Sequence, residues 1–151
     1  MLHLIRTSKV RADFIHRRER KKRMEKERVA MNSEGVRRNI LGFMYAERLK
    51  SVLIIAGQML DVLPDLNEGE RSGGLKMFGS FVRGVGNEMR LAANVMGGSD
   101  WDGLSGQLNL MEGYARLGQL EAARQELSQT LSRVTTMGGR AMATLEKAGF
   151  L

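Results

Sequence analysis

From Leu75 to Met96 the apolar residues advance by three, four, three, four, three and four positions: Leu75, Phe78, Val82, Val85, Met89, Ala92 and Met96. A half-buried strand would alternate with a period of two. The three–four alternation instead gathers one apolar stripe on one side of a helix, and such a stripe is satisfied by another helix. Gly79, Gly84 and Gly86 interrupt the segment. Each costs about 1 kcal/mol against alanine inside a helix, so this helix needs its neighbours.

The rest of the chain follows the same period. Helical spacing runs through Val36, Ile40, Phe43, Met44, Leu49, Val52, Leu53, Ala56, Met59, Leu60 and Leu63. Pro64, the single proline, stops it, because the residue before a proline avoids the α region. Asn32 or Ser33 is placed to cap this helix at its start. Further helices carry Leu104, Leu108, Met111, Tyr114 and Leu117, then Leu120, Ala123, Leu127, Leu131 and Val134, then Ala141, Met142, Leu145 and Ala148. Gly97-Gly98, Gly118 and Gly138-Gly139 are the expected breaks, and Ser99, Asp100 or Asp102 the expected cap before the third body helix. No segment alternates as a strand does. The fold class predicted is all-α: a small bundle of helices at about 33–63, 75–96, 102–117, 119–136 and 139–149, preceded by a long basic helical arm.

The hairpin from Leu104 to Val134 resembles a single tetratricopeptide unit. Tyr114 stands in its first helix, Gly118 at its turn, and Ala123 and Leu127 in its second. It departs at Thr130, where a small residue is expected, and at Thr135, where the closing proline is absent. The resemblance spans about a fifth of the chain, with no second copy, and such arrays need about three repeats to bury a shared core. A plain helical hairpin with a glycine turn accounts for the same residues.

Charge divides the chain in two. Residues 1–31 hold eleven Lys and Arg against four Asp and Glu, while residues 32–151 hold thirteen of each. The whole net charge of +7 therefore sits in an N-terminal arm, 1–31, ahead of a neutral helical domain, 32–151. Eight of the cations, Arg17, Arg18, Arg20, Lys21, Lys22, Arg23, Lys26 and Arg28, fall within twelve positions. As a helix this run has no face to bury; Met24 and Val29 are its few apolar residues. Glu19 and Arg23 have the i,i+4 spacing of a weak pair. Lys and Arg without an aromatic between them suit phosphate contact better than base stacking. Phe14, the nearest ring, is expected to pack with Leu4, Ile5, Val10 and Ile15. Arg37 and Arg38 either extend the basic surface or form the solvent side of their helix.

Residues 1–15 have the basic, intermittently apolar composition of a mitochondrial presequence, with Asp13 as their one acid. The Glu-containing run behind them departs from that pattern. Whether they form an uncleaved targeting signal stays open. The charged run lacks the Trp, Phe or Leu face that would insert into a membrane surface. The most apolar run, Ser51 to Gly57, is far shorter than the ~20 residues of a membrane span. The absence of cysteine excludes disulfides and thiolate metal sites, and fits a reducing compartment such as cytoplasm, virion or mitochondrial matrix.

Catalytic patterns are absent. Both histidines, His3 and His16, lie in the arm. Gly84 to Met89 reads GVGNEM, which lacks the last glycine of a dinucleotide motif and follows no strand. Asp61, Asp65, Glu68 and Glu70 form an acidic cluster. Read as a calcium loop from Asp65, it has its glycine in the fifth place and Lys76 where the closing glutamate belongs. Asp100 and Asp102 are spaced as an acid–base pair but sit where helix caps belong. No catalytic residue, metal or cofactor is expected.

The expected function is a non-catalytic structural subunit of a nucleoprotein assembly. Its eight arm cations would contact RNA or DNA phosphates non-specifically, and its body would dock on protein subunits. Leu75, Phe78, Val82, Val85, Met89 and Trp101 are the candidate protein interface, and the 75–96 seam is a candidate oligomerisation face. Trp101, the only tryptophan, reads first as a packing anchor and second as an interface hot spot. The eleven methionines, Met77, Met89, Met96 and Met111 among them, suit core filling or adaptable contacts. The alternative function is a helical adaptor or scaffold without nucleic-acid contact.

Overall fold

The computed structural model describes the backbone of residues 2–97 and 99–150, and the side chains of 17–23, 33–97, 100, 101 and 103–150. Among these residues there are five α-helices and no strand: α1 (Leu2–Val62), α2 (Glu68–Met96), α3 (Ser99–Asp102), α4 (Leu104–Arg116) and α5 (Leu120–Lys147). A 3-10 turn, Leu63–Asp65, follows α1. The chain is thus all-α. Two compact units divide it at Arg37/Arg38, a few residues beyond the charge boundary, and α1 contributes to both.

In the second unit the three–four spacing recurs on every long helix. The buried positions include Ala46, Leu49, Leu53, Ala56 and Leu60 at the end of α1, with Leu63 in the turn behind it; Phe78, Val82, Val85, Met89 and Ala92 on α2; Leu104, Leu108, Met111 and Ala115 on α4; Ala123, Leu127, Thr130, Val134, Gly138, Ala141 and Leu145 on α5. Shared spacing of this kind lets side chains of one helix seat between those of the next. The helices run up, down, up and down. Gly42 faces Met96, and Arg48 pairs with Glu88 at 3.0 Å, so α2 returns along α1. Along α5, Ala141, Gly138, Leu127 and Arg124 meet Gly42, Ala46, Gly57 and Asp61 in turn, so α5 is antiparallel to α1. The shorter α4 completes the bundle between α2 and α5.

An arginine marks each seam of the bundle. Arg48 reaches Glu88 between α1 and α2, and Arg83 reaches Glu112 at 3.1 Å between α2 and α4. Arg133 donates to Gln107 Oε1 at 2.8 Å between α4 and α5, and Arg124 to Asp61 Oδ1 at 3.0 Å between α5 and α1. Exposed pairs of this type contribute roughly 0–1 kcal/mol each. The apolar seam stabilises the bundle, and the arginines help fix its register.

The connection from α1 to α2 explains the acidic cluster. Asn67 Oδ1 accepts from the Glu70 backbone N–H at 3.0 Å, and Glu70 Oε2 accepts from the Asn67 N–H at 3.2 Å. This capping box starts α2 at Glu68, seven residues before the expected Leu75. Arg71 donates to the carbonyls of Leu63, Pro64 and Leu66 at 3.2, 2.8 and 3.2 Å, satisfying groups freed where α1 ends. Asp61 is held by Arg124. Asn67→Ala is expected to cost about 1 kcal/mol of unfolding free energy, read by urea denaturation.

Three expected breaks resolve differently. Gly118 has φ 74°, its N–H donates to Ala115 O at 3.0 Å, and the Gln119 N–H donates to Tyr114 O at 2.9 Å. This is a glycine-terminated helix end, as the sequence predicts. Gly138-Gly139 does not break the chain: α5 continues to Lys147, and the separate helix at 139–149 does not exist. The reason is packing. An added Cβ on Gly138 would lie 3.0 Å from Ala46 Cβ, so glycine here permits a close helix crossing. Nor does α1 start afresh at Asn32 or Ser33; it runs through that segment. Gly84 is exposed on α2 with nothing within 4 Å of a new Cβ, so Gly84→Ala should raise stability by roughly 0.5–1 kcal/mol in thermal unfolding. Gly79→Ala should fall short of that gain, since its Cβ would meet Glu112 Oε1 at 2.6 Å and disturb the Arg83 pair.

Candidate nucleic-acid interface

Arg17, Arg18, Arg20, Lys21, Lys22 and Arg23 all lie on α1, and all six are exposed. Lys26 and Arg28, and the packing expected of Phe14 with its apolar neighbours, lie outside the described side chains. Successive residues on an α-helix turn by about 100°. Arg17 and Lys21 therefore point one way. Arg18 and Lys22 lie to one side of them and Arg20 to the other, while Arg23 shares the side of Glu19, its i,i+4 neighbour. Arg37 and Arg38 are exposed as well.

The residues expected as a protein interface are mostly interior. Phe78, Val82, Val85 and Met89 are buried in the core of the chain's own bundle, and Leu75 is half-buried against it. The three–four stripe is consumed inside the chain, because α1 and α4 supply the helices it needs. Trp101 is buried too. Its ring meets Tyr45 edge-on at a centroid separation of 6.4 Å, where α3 fills the bundle ahead of the shorter α4. It is a packing anchor.

Sequence reasoning missed the surface that is apolar and open. Ile55, Met59, Val62, Leu66 and Met77 line a groove of about 360 Å³ between α1 and α2. Met77 is 70% exposed, and Ile55 and Val62 are about half exposed. The signal was present: Ile55, Met59 and Val62 repeat a four–three step on a second side of α1. A second groove of about 410 Å³, between α2 and α4, carries Lys76, Arg83, Arg116 and Glu112. Glu112 is only 18% exposed and is engaged by Arg83.

Asp100 is exposed and lies 3.7 Å from Arg140, and its backbone carbonyl accepts from Arg133 at 3.4 Å. The side chain of Asp102 lies outside the described residues, as do those of His3 and His16. Among the described residues no three acidic or histidine side chains converge as a metal site would require. Nor is any helix there long and apolar enough to cross a membrane.

These features define a class: an antiparallel helical bundle whose first helix carries six exposed cations within residues 17–23. No family model, curated protein or solved structure matches the chain. In the structure the segment 104–134 is the hairpin of α4 and the first part of α5, with Thr130 in a core position. Its Oγ1 donates to Glu126 O at 2.8 Å, which satisfies the hydroxyl in its buried place.

Proposed function

We propose that the protein is a non-catalytic structural subunit of a nucleoprotein assembly, with Arg17, Arg18, Arg20, Lys21, Lys22, Arg23, Lys26 and Arg28 on the phosphates of RNA or DNA. One observation carries this reading. The entire surplus of +7 lies in residues 1–31, on a helix whose described cations bury nothing. A charge run of this density is costly to keep beside itself and is relieved by an anion. Each cation placed on a phosphate releases condensed counterions, which gives affinity without sequence preference.

The test is equilibrium binding of the full chain to single-stranded RNA and to duplex DNA between about 50 and 200 mM salt. With six to eight cations engaged, log K should fall against log salt with a slope of roughly −4 to −7. A slope near zero, or no binding at the lowest salt, overturns the reading.

The second reading is a protein–protein adaptor. The open apolar groove lined by Ile55, Met59, Val62, Leu66 and Met77 favours it. A contact made there would barely respond to salt, which separates the two.

A further inference from the structure

Within the bundle unit, the outer side of the α1–α2 hairpin is apolar at both ends and carries an ion pair at its middle. At 100° per residue, Met44, Ile55 and Val62 lie within about 20° of the direction opposite core-facing Leu53. On α2, Met77, Leu91 and Val95 fall within about 40° of one another, on the side turned to α1. All six are about half exposed or more. The antiparallel register sets Met44 level with Leu91 and Val95, Arg48 level with Glu88, and Met77 level with Ile55 and Val62. α5 covers α1 along Gly42, Ala46 and Gly57, and α4 meets α2 beside Gly79 and Arg83, so both lie away from this face. Contiguous apolar patches of this kind mark contacts with other macromolecules.

We infer that a second copy of the chain covers this face, in a two-fold dimer whose axis runs along the α1–α2 seam. The inference is independent of the nucleic-acid reading, and it assigns to a second copy the groove that favours the adaptor. A closed two-fold contact must be self-complementary, and here the charges select the axis. Rotation about an axis parallel to the helices lays α1 of each copy on α2 of the other, at the same level. Arg48 then meets Glu88 of the second copy, and Glu88 meets the Arg48 there. The apolar ends meet as well: Met44 against Leu91 and Val95, Met77 against Ile55 and Val62. An axis across the helices at the level of the ion pair would instead set Arg48 against Arg48, which is repulsive. The result is an antiparallel four-helix bundle formed by two hairpins. The stripe from Met44 to Val62 is about 27 Å long and the hairpin roughly 20 Å wide. That footprint is on the scale of the ~800 Å² per partner of a standard specific interface.

The experiment measures the mass of the full chain by sedimentation equilibrium, without nucleic acid, from about 1 to 100 μM in about 50 mM salt. The parent should pass from 16.9 kDa to twice that mass. Leu91→Glu, Arg48→Glu and Glu88→Arg should each weaken the dimer roughly tenfold or more. An equimolar mixture of the Arg48→Glu and Glu88→Arg chains should dimerise again, because only between the two variants are the charges opposite. Thermal unfolding of each variant at about 1 μM, where the chains are monomers, should stay close to that of the parent, so that a lost dimer is not a lost fold. A parent that stays monomeric throughout overturns the dimer and leaves the face to a different protein. A dimer indifferent to all three substitutions overturns the choice of face. A mixture no tighter than either variant alone overturns the two-fold register.

Discussion

Phe78→Ala is expected to destabilise the bundle by about 3–5 kcal/mol, the largest effect of any single truncation proposed for this chain. Phe78 is 1% exposed and belongs to the buried cluster that also holds Leu60, Val82 and Met111. Removing the ring loses its transfer free energy and leaves a hole that three neighbouring helices cannot all close. A domain of this size has about 5–15 kcal/mol in total, so the loss takes a large share of it. Thermal unfolding should shift down by roughly 10–20 °C. The adjacent Met77 is the control. It is 70% exposed, and Met77→Ala should stay within about 0.5 kcal/mol of the parent. Equal effects at the two positions would mean that α2 presents a different face to the core, and the bundle described above would be wrong.

That neighbouring pair also shows what the sequence makes legible. The three–four stripe on α2 marks Phe78 as inside and Met77 as off the stripe, because a helix has one fixed period. The stripe does not say whose helix covers it. Leu75 to Met89 read equally well as an interface, and only the return of α1 and α4 onto them settles the matter. Glycines divide in the same way. Gly118 stops a helix because its φ is positive and its N–H closes the turn, both of which are local. Gly138 stops nothing, because its role is to let Ala46 approach from a residue 92 positions earlier. Local sequence holds no trace of that distant contact. Thr130 was hidden for a similar reason: a hydroxyl reads as surface until the backbone carbonyl of Glu126 is seen to accept it. Asn67 and Glu70 were visible as acids and amides, yet their reciprocal hydrogen bonds make them the start of α2 and not a loop for calcium. The arm is the opposite case. Its charge was legible in the residue types alone, and the structure adds that the six cations of residues 17–23 are exposed.

Replacing Arg17, Arg18, Arg20, Lys21, Lys22 and Arg23 together by glutamine should separate binding from folding. These side chains are exposed and lie in the unit that ends at Arg37, so the bundle loses no packing. Its thermal unfolding should move by no more than about 0.5 kcal/mol. Glutamine is shorter than either side chain but has similar helix propensity, and it removes the charge. For nucleic acid the change is large. Six fewer counterions are released, so the magnitude of the salt slope on duplex DNA should drop by about 5, and affinity near 50 mM salt should fall by roughly a thousandfold or more. Lys26 and Arg28 remain, and a residual slope of about 2 is their expected signature. Intact folding with lost binding assigns the charge of the arm to a phosphate backbone. Unchanged binding, in a chain that still binds with a steep slope, would move the nucleic-acid surface onto the bundle. There Lys76 and Arg116 line the α2–α4 groove, and the arm would stand as a solvated helix.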